Sequence, residues 1–213
     1  RHGVDYSRAG DAGLSRKGTS VHHRPPEESH YFLLCPGANI HLIDFLKQHP
    51  FESAKEKNMP IVIDSVNKSY GEGEGTAHVL KDVSCTIEDS EICVIIGASG
   101  SGKSTLLNCL GGLDPPDSGT IKAAATMRRR TRLVKRPRVL LCDEPTGALD
   151  YTTSKEMLEL LERVNREHGV TVVIVSHNEA ITAMAHRTIT IRDGRIRGVS
   201  VQDAPEAASA LTW

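Results

Sequence analysis

Charge of one sign is what this 213-residue sequence most plainly lacks: 26 Lys and Arg against 27 Asp and Glu leave a formal net charge of -1. No global field therefore draws it to nucleic acid or to an anionic membrane, and any such partner would need a local patch. Paired cysteine spacing is also missing. The five cysteines (Cys35, Cys85, Cys93, Cys109, Cys142) are odd in number, form no CxxC motif and mostly sit in apolar surroundings, which reads as reduced thiols in a cytosolic protein. No stretch approaches the roughly 18 apolar residues needed to cross a bilayer. The most apolar early segment, "YFLLCPGANIHLIDFL", is interrupted by Pro36, Gly37 and polar positions. The N-terminal residues are polar, unlike those of a signal peptide. One folded domain with one good core and a short appendage is the expectation at this length.

Residues 1–58 mix Gly, Ser, Arg, His and Pro without sustained periodicity and read as a poorly ordered N-terminal extension, with a short helix near His41 to Gln48. His22, His23 and His30 lack a Cys or carboxylate framework and read as solvated loop residues. The texture changes at Met59. "PIVIDSVNKSY" and "AHVLKDVSCTI" both alternate apolar and polar residues around the turn "GEGEG", which is a hairpin pattern. "EICVIIG" is then a buried strand, "KSTLLNCLGGL" a helix, and "DPPDSG" its stop.

Arg138 to Cys142 form another apolar strand, followed by a second helix. Met157, Leu160, Leu161 and Val164 recur at helical spacing, Thr153 and Glu156 have capping-box spacing, and Gly169 is placed to end the helix. "VTVVIVSH" is a further buried strand, and Ala180 to Ala185 a short helix. "TITIRDGRIRGVS" closes as a hairpin on Asp193 and Gly194. Residues 201–213 read as a loose tail. Buried strands alternating with helices predict an α/β fold, a mainly parallel sheet wrapped by helices, preceded by an antiparallel β layer.

Two stretches carry chemistry. "GASGSGKS" fills every fixed position of GxxxxGK[ST] with Gly97, Gly102, Lys103 and Ser104, between a strand and a helix. The glycines let backbone N–H groups curl around phosphates and the helix N-terminus adds partial positive charge. Lys103 supplies a mobile cation, and the Ser104 hydroxyl can hold Mg²⁺. In "RVLLCDEP" an apolar strand delivers Asp143, suited to steadying a Mg²⁺ shell, and Glu144, the candidate general base for an attacking water. A helix N-cap acid pair would not explain the apolar run before them. His177 follows "VVIVS" at a strand end, where it can reach the same sheet edge.

These residues resemble the nucleotide-binding subunit of ABC transporters over about Pro60 to Val199. Gly97 to Thr105 resembles the Walker A loop, "VLLCDEP" the Walker B strand with its catalytic glutamate, "GALD" at Gly147 to Asp150 the D-loop, and His177 the switch histidine. Tyr70 matches the A-loop aromatic that stacks on adenine, although hairpin packing alone would explain it equally well. "GEGEGTAHVLKDVS", "GGLDPPDSGTI" and "SHNEAITAMAHRTITIRDGRI" most resemble the subfamily that powers macrolide-type exporters and lipoprotein-releasing complexes.

The resemblance implies a P-loop NTPase core in a domain at 59–200, with ATP and Mg²⁺ as ligands. Glu144, His177 and Lys103 would be catalytic. Tyr70, Gly97, Ser99, Gly100, Ser101, Gly102, Lys103, Ser104, Thr105 and Asp150 would contact the nucleotide, with Ser104 and Asp143 on the metal. It further implies a membrane-embedded permease and a second ATP-binding subunit as partners, at the cytoplasmic face of the membrane.

Between Gly119 and Arg138 the family carries a glutamine loop, a helical subdomain and the LSGGQ signature, where this chain has only "GTIKAAATMRRRTRLVKRPR". All three elements are missing, with the junction near 122–134. Codons for "AAATMRRRT", read one nucleotide out of register, are compatible with "QQQRCVAV", similar to the segment after a family signature. The tract is basic but lacks interleaved aromatics, so nucleic acid is not expected as a partner. Two other functions compete: a module that binds ATP without turnover, and a P-loop kinase, which would need an acceptor site and lid that the sequence does not show.

Overall fold

The computed structural model describes residues 31–34, 60–123, 138–147 and 149–212. The hairpin expected from alternation forms as β2 (Ile61–Tyr70) and β3 (Ala77–Ile87), paired antiparallel and joined through a 3-10 turn at Gly73–Gly75. A strand the sequence did not reveal, β5 (Ser118–Ala123), adds to the other side of β2 and completes a three-stranded layer.

The second sheet has six strands in the order β1-β6-β7-β4-β8-β9, β1 being Tyr31–Leu34. Here β4 is Ile92–Ile96, β6 Val139–Asp143, β7 Thr171–Ser176 and β8 Arg187–Arg192, all parallel to one another. β9 (Arg195–Val201) returns antiparallel to β8 through Asp193 and Gly194, both in the left-handed region as the favoured two-residue turn requires.

Near-continuous apolar runs mean that both faces of the parallel strands are covered. Val94, Leu140, Cys142, Val172 and Ile174 point to one face, where Met157, Leu158 and Leu161 of helix α2 (Tyr151–His168) pack on them. Cys93, Ile95, Leu141, Val173 and Val175 point to the other. There they meet Leu106, Leu107 and Leu110 of helix α1 (Lys103–Leu110), together with Ile61, Val66 and Leu80 of the three-stranded layer. Each fully buried Leu or Ile of these cores contributes about 1.5–3 kcal/mol, so the sheet carrying the chemistry is held from both sides.

Four expectations change. Tyr31–Leu34, within the segment expected to be poorly ordered, forms β1 and pairs parallel with β6 over Val139 to Cys142. Without it β6, whose Leu140, Leu141 and Cys142 are fully buried, would be an unpaired sheet edge. The cap of α2 is Asp150, whose side chain accepts from the Thr153 N–H at 3.0 Å and from the Thr153 hydroxyl at 2.7 Å, in place of the Thr153 and Glu156 box. A carboxylate at the N-cap takes up a first-turn N–H and also suits the helix dipole.

The short helix near Ala180 is a 3-10 turn at Glu179–Met184, started by the Asn178 side chain accepting from Ala180 N–H. The tail expected to be loose is docked: Ala208 and Leu211 are buried in the α2 core, and the Tyr151 hydroxyl donates to the Leu211 carbonyl. The helix expected near His41 and most of the junction tract lie outside the described residues.

Candidate functional site

β7 lies between β6 and β4, and all three run the same way. Register pairs Asp143 with Val175 and Ile96 with Ser176, so the three C-terminal ends reach one edge together. From that edge Gly97 leaves β4, Asp143 and Glu144 end β6, and His177 follows β7.

The loop from Gly97 to Gly102 hugs its support. A Cβ at Gly97 would lie 2.1 Å from the Ile191 carbonyl oxygen, and one at Gly102 would lie 2.9 Å from Leu80 Cδ2. Gly102 caps α1 at φ 105°, a left-handed conformation that only glycine adopts freely, and α1 has no side-chain cap. Its first-turn N–H groups are therefore open to an anion.

Lys103 is buried, and its Nζ donates to the Gly97 and Ala98 carbonyls at 2.8 and 2.9 Å. No carboxylate within ion-pair distance of it is found among the described residues, so its charge is left for an anion in the loop. The buried Ser101 Oγ has no hydrogen-bond partner there. A cradle with free amides, an uncompensated lysine and an orphan hydroxyl fits a polyphosphate.

The Ser104 hydroxyl donates to Asp143 Oδ1 at 3.2 Å, which brings two hard oxygen donors together. No group of three His, Cys, Asp or Glu side chains able to hold a metal occurs among the described residues. That pair suits a Mg²⁺ whose remaining ligands are waters and phosphate oxygens. Glu144 has φ 48°, a conformation costing a non-glycine residue roughly 1–2 kcal/mol. Its N–H donates to the Val175 carbonyl at 2.9 Å, and its Oε2 lies 3.0 Å from His177 Nδ1.

These parts enclose a cleft of about 470 Å³. Of the residues expected at the site, Tyr70, Ser99, Gly100, Gly102, Lys103, Ser104, Thr105, Glu144 and His177 line it. Gly97 and Ser101 belong to the loop beneath, and Asp143 touches Ser104. Asp150 does not line the cleft; its carboxylate, held below its ordinary pKa by the Thr153 hydrogen bonds, caps α2.

Val79 lines the cleft unforeseen. The supports of Tyr70, which lie behind the cleft, were unforeseen too: its hydroxyl donates to Asp114 Oδ2 at 2.5 Å, and Lys68 lies over its ring. The Asp114 bond and partial burial raise the pKa of the tyrosine, while Lys68 and then Tyr70 lower that of Asp114. The two-residue spacing of Lys68 and Tyr70, which puts both on one face of β2, was the signal available in the sequence.

The ABC transporter family matches residues 80–134. The ATP-binding protein LolD of the lipoprotein-releasing system of Geobacter metallireducens is 30% identical over 213 aligned positions, which take in 95% of that relative. The chain belongs to the ABC transporter ATP-binding family. This ABC chain is also 31% identical to the macrolide export ATP-binding/permease protein MacB 1/2 of Paracoccus denitrificans, over 71% of the chain and 35% of MacB. It thus spans about a third of the length of that relative.

Only 62% of the ABC chain takes part in the LolD alignment. Among solved structures, the dimeric post-hydrolysis state of the ATP-binding cassette MJ0796 bound to ADP and Pi superposes with a TM-score of 0.58. It is 22% identical, covering 66% of this chain and 98% of the cassette. CbiO1 of Clostridium perfringens, part of the CbiONQ transporter complex, gives 0.57 at 18% identity, covering 68% and 89%. Both show the ABC cassette fold. The chain is accordingly an ATP-binding subunit of ABC type, from a family of ATPases. No helix among the described residues is long and apolar enough to cross a membrane.

Proposed function

We propose that the chain binds ATP with Mg²⁺ in the Tyr70 to His177 cleft and that its own residues are arranged for hydrolysis of the γ-phosphate. The single observation that carries this is the convergence of Lys103, Ser104, Asp143, Glu144 and His177 on one sheet edge. Lys103 leaves the loop carbonyls for the phosphates, and the first-turn amides of α1 bind the β-phosphate side. Ser104 and Asp143 would hold Mg²⁺, which, when bound, neutralises charge on the phosphate oxygens. Glu144 accepts a proton from water, and His177 orients that carboxylate and faces the γ-phosphate. Gly97, Ser99, Gly100, Ser101, Gly102 and Thr105 complete the cradle, and Tyr70 offers a flat ring to the base.

Work is delivered, in this reading, to a membrane-embedded permease at the cytoplasmic face, with lipoprotein, peptide or macrolide-like cargo as the LolD and MacB likenesses indicate. A second cassette would complete the composite site; the MJ0796 neighbour is itself dimeric. One observation favours a second reading, ATP binding without turnover. Only residues 124–138 join β5 to β6, and they contain no LSGGQ.

Equilibrium ATP binding and multiple-turnover phosphate release on the same preparation separate the two. Turnover abolished by Glu144→Gln with binding retained establishes the enzyme; binding with no turnover in the unmutated chain establishes the module. Absence of ATP binding refutes both.

A further inference from the structure

Tyr70 stands at the mouth of the cleft with 41% of its surface exposed, yet its ring is held in place. Its hydroxyl is tied to Asp114 Oδ2, and Lys68 Nζ lies 5.3 Å from the ring centroid, within cation–π range. Lys68 is itself fully engaged. Its Nζ contacts Asp114 Oδ1 at 2.6 Å, the Pro115 carbonyl at 2.8 Å and Asp117 Oδ1 at 3.5 Å. A second tie runs alongside: Ser69 N–H donates to Asp117 Oδ2 at 2.6 Å and Asp117 N–H to the Asn67 carbonyl at 2.8 Å. The last four residues of β2 are thereby laced to the loop that follows α1.

That loop belongs to the phosphate helix. The N–H groups of Leu113 and Asp114 both reach the Asn108 carbonyl of α1, at 3.0 and 3.4 Å, and α1 begins with Lys103. An eight-residue helix spans about 12 Å, so one rigid element carries the phosphate lysine at its start and the anchor of the aromatic ring just past its end.

We infer that Asp114 and Lys68 are positioning residues that hold Tyr70 as a base platform in fixed register with the phosphate cradle. The inference rests on the nucleotide-site reading and deepens it. Asp114 holds the far end of the ring in place through the hydroxyl, and Lys68 backs one face of the ring and neutralises Asp114. Ordering the ring before the ligand arrives removes an entropic cost from binding. Neither residue needs to touch the nucleotide.

The experiment compares ATP with inorganic tripolyphosphate, which has the phosphates but no base, by calorimetry on the full chain. Asp114→Ala is expected to weaken ATP binding about tenfold, within the range of a base–aromatic stacking contact, and to leave tripolyphosphate affinity unchanged. Tyr70→Phe, which keeps the ring and removes only its hydroxyl, should weaken ATP in the same selective way. The double variant should be no worse than either single one, and Asp114→Asn, which retains an acceptor oxygen, should recover part of the loss.

Equal weakening of both ligands by Asp114→Ala, or an unchanged ATP affinity, would overturn the clamp while leaving the nucleotide site standing. If Asp114→Ala fails to fold, Tyr70→Phe decides alone, since a missing hydroxyl with no effect on ATP refutes the idea. An unmutated chain that binds neither ligand sinks the site reading itself, a result distinct from the others.

Discussion

His177 Nδ1 lies 3.0 Å from Glu144 Oε2, joining the loop after β7 to the end of β6. The glutamate side chain is 26% exposed and the histidine 71%, so the ring covers a carboxylate that would otherwise swing in solvent. His177→Ala should leave ATP affinity within about twofold and, in any preparation that turns over, reduce turnover by about 10²-fold, the low end for general acid–base groups. Parallel binding and phosphate-release assays check this. A proportional loss of binding would place the histidine in ground-state recognition instead.

Gly97 has no room for a side chain, because the Ile191 carbonyl of β8 occupies the place of a Cβ at 2.1 Å. Gly97→Ala must push the phosphate loop off β8. A loss of about 2 kcal/mol or more in denaturant stability is expected, together with loss of ATP binding. Gly100→Ala, with nothing within 4 Å of its Cβ position but a left-handed φ of 75°, controls for backbone strain without crowding.

Burial pushes the thiols of Cys85 and Cys109 up to about 11, and those of Cys93 and Cys142 further. At pH 8 all four are neutral in the native state, so iodoacetamide should leave them unlabelled until denaturant is added. Sign follows from the linkage: above the ordinary thiol pKa of 9.0 the unfolded chain gives up protons that the native chain keeps. Stability should therefore fall as pH rises from about 9 to about 11. Peptide mass mapping and denaturant melts across that range test both statements.

β1 pairs with β6 through its backbone, and successive N–H groups of a strand point to opposite sides. Prolines at both Phe32 and Leu33 must remove a donor facing β6 whatever the phase. The double variant Phe32→Pro with Leu33→Pro is expected to expose the β6 edge and to self-associate, which light scattering would register. A monodisperse, equally stable variant would show that β1 contributes nothing to the sheet.

The chemistry of this chain was legible because it is local. The run from Gly97 to Thr105 encodes its own turn and helix start, and "RVLLCDE" encodes a buried strand ending in acids; neither needs knowledge of distant partners. What stayed hidden is long-range. β1 meets β6 across more than a hundred residues, and Tyr70 meets Asp114 across 44, a juxtaposition no short window contains. The docking of Leu211 under α2 is of the same kind. The cap of α2 was misread for another reason: Asp150 and Thr153 both have capping chemistry, and the charged acceptor one step before the helix took the position.

The two layers differ in how much of their backbone solvent reaches. β4, β6 and β7 are buried on both faces, while most of β5 and Tyr70 at the outer end of β2 lie open. Amide exchange will be slowest in the first group and faster in the second. The grip on the phosphates hangs directly from the slow strands, whereas the grip on the base reaches the phosphate helix only through the Asp114 and Lys68 ties. A bound nucleotide should therefore loosen at its base first and leave phosphates last, so departure has a direction written into the layering.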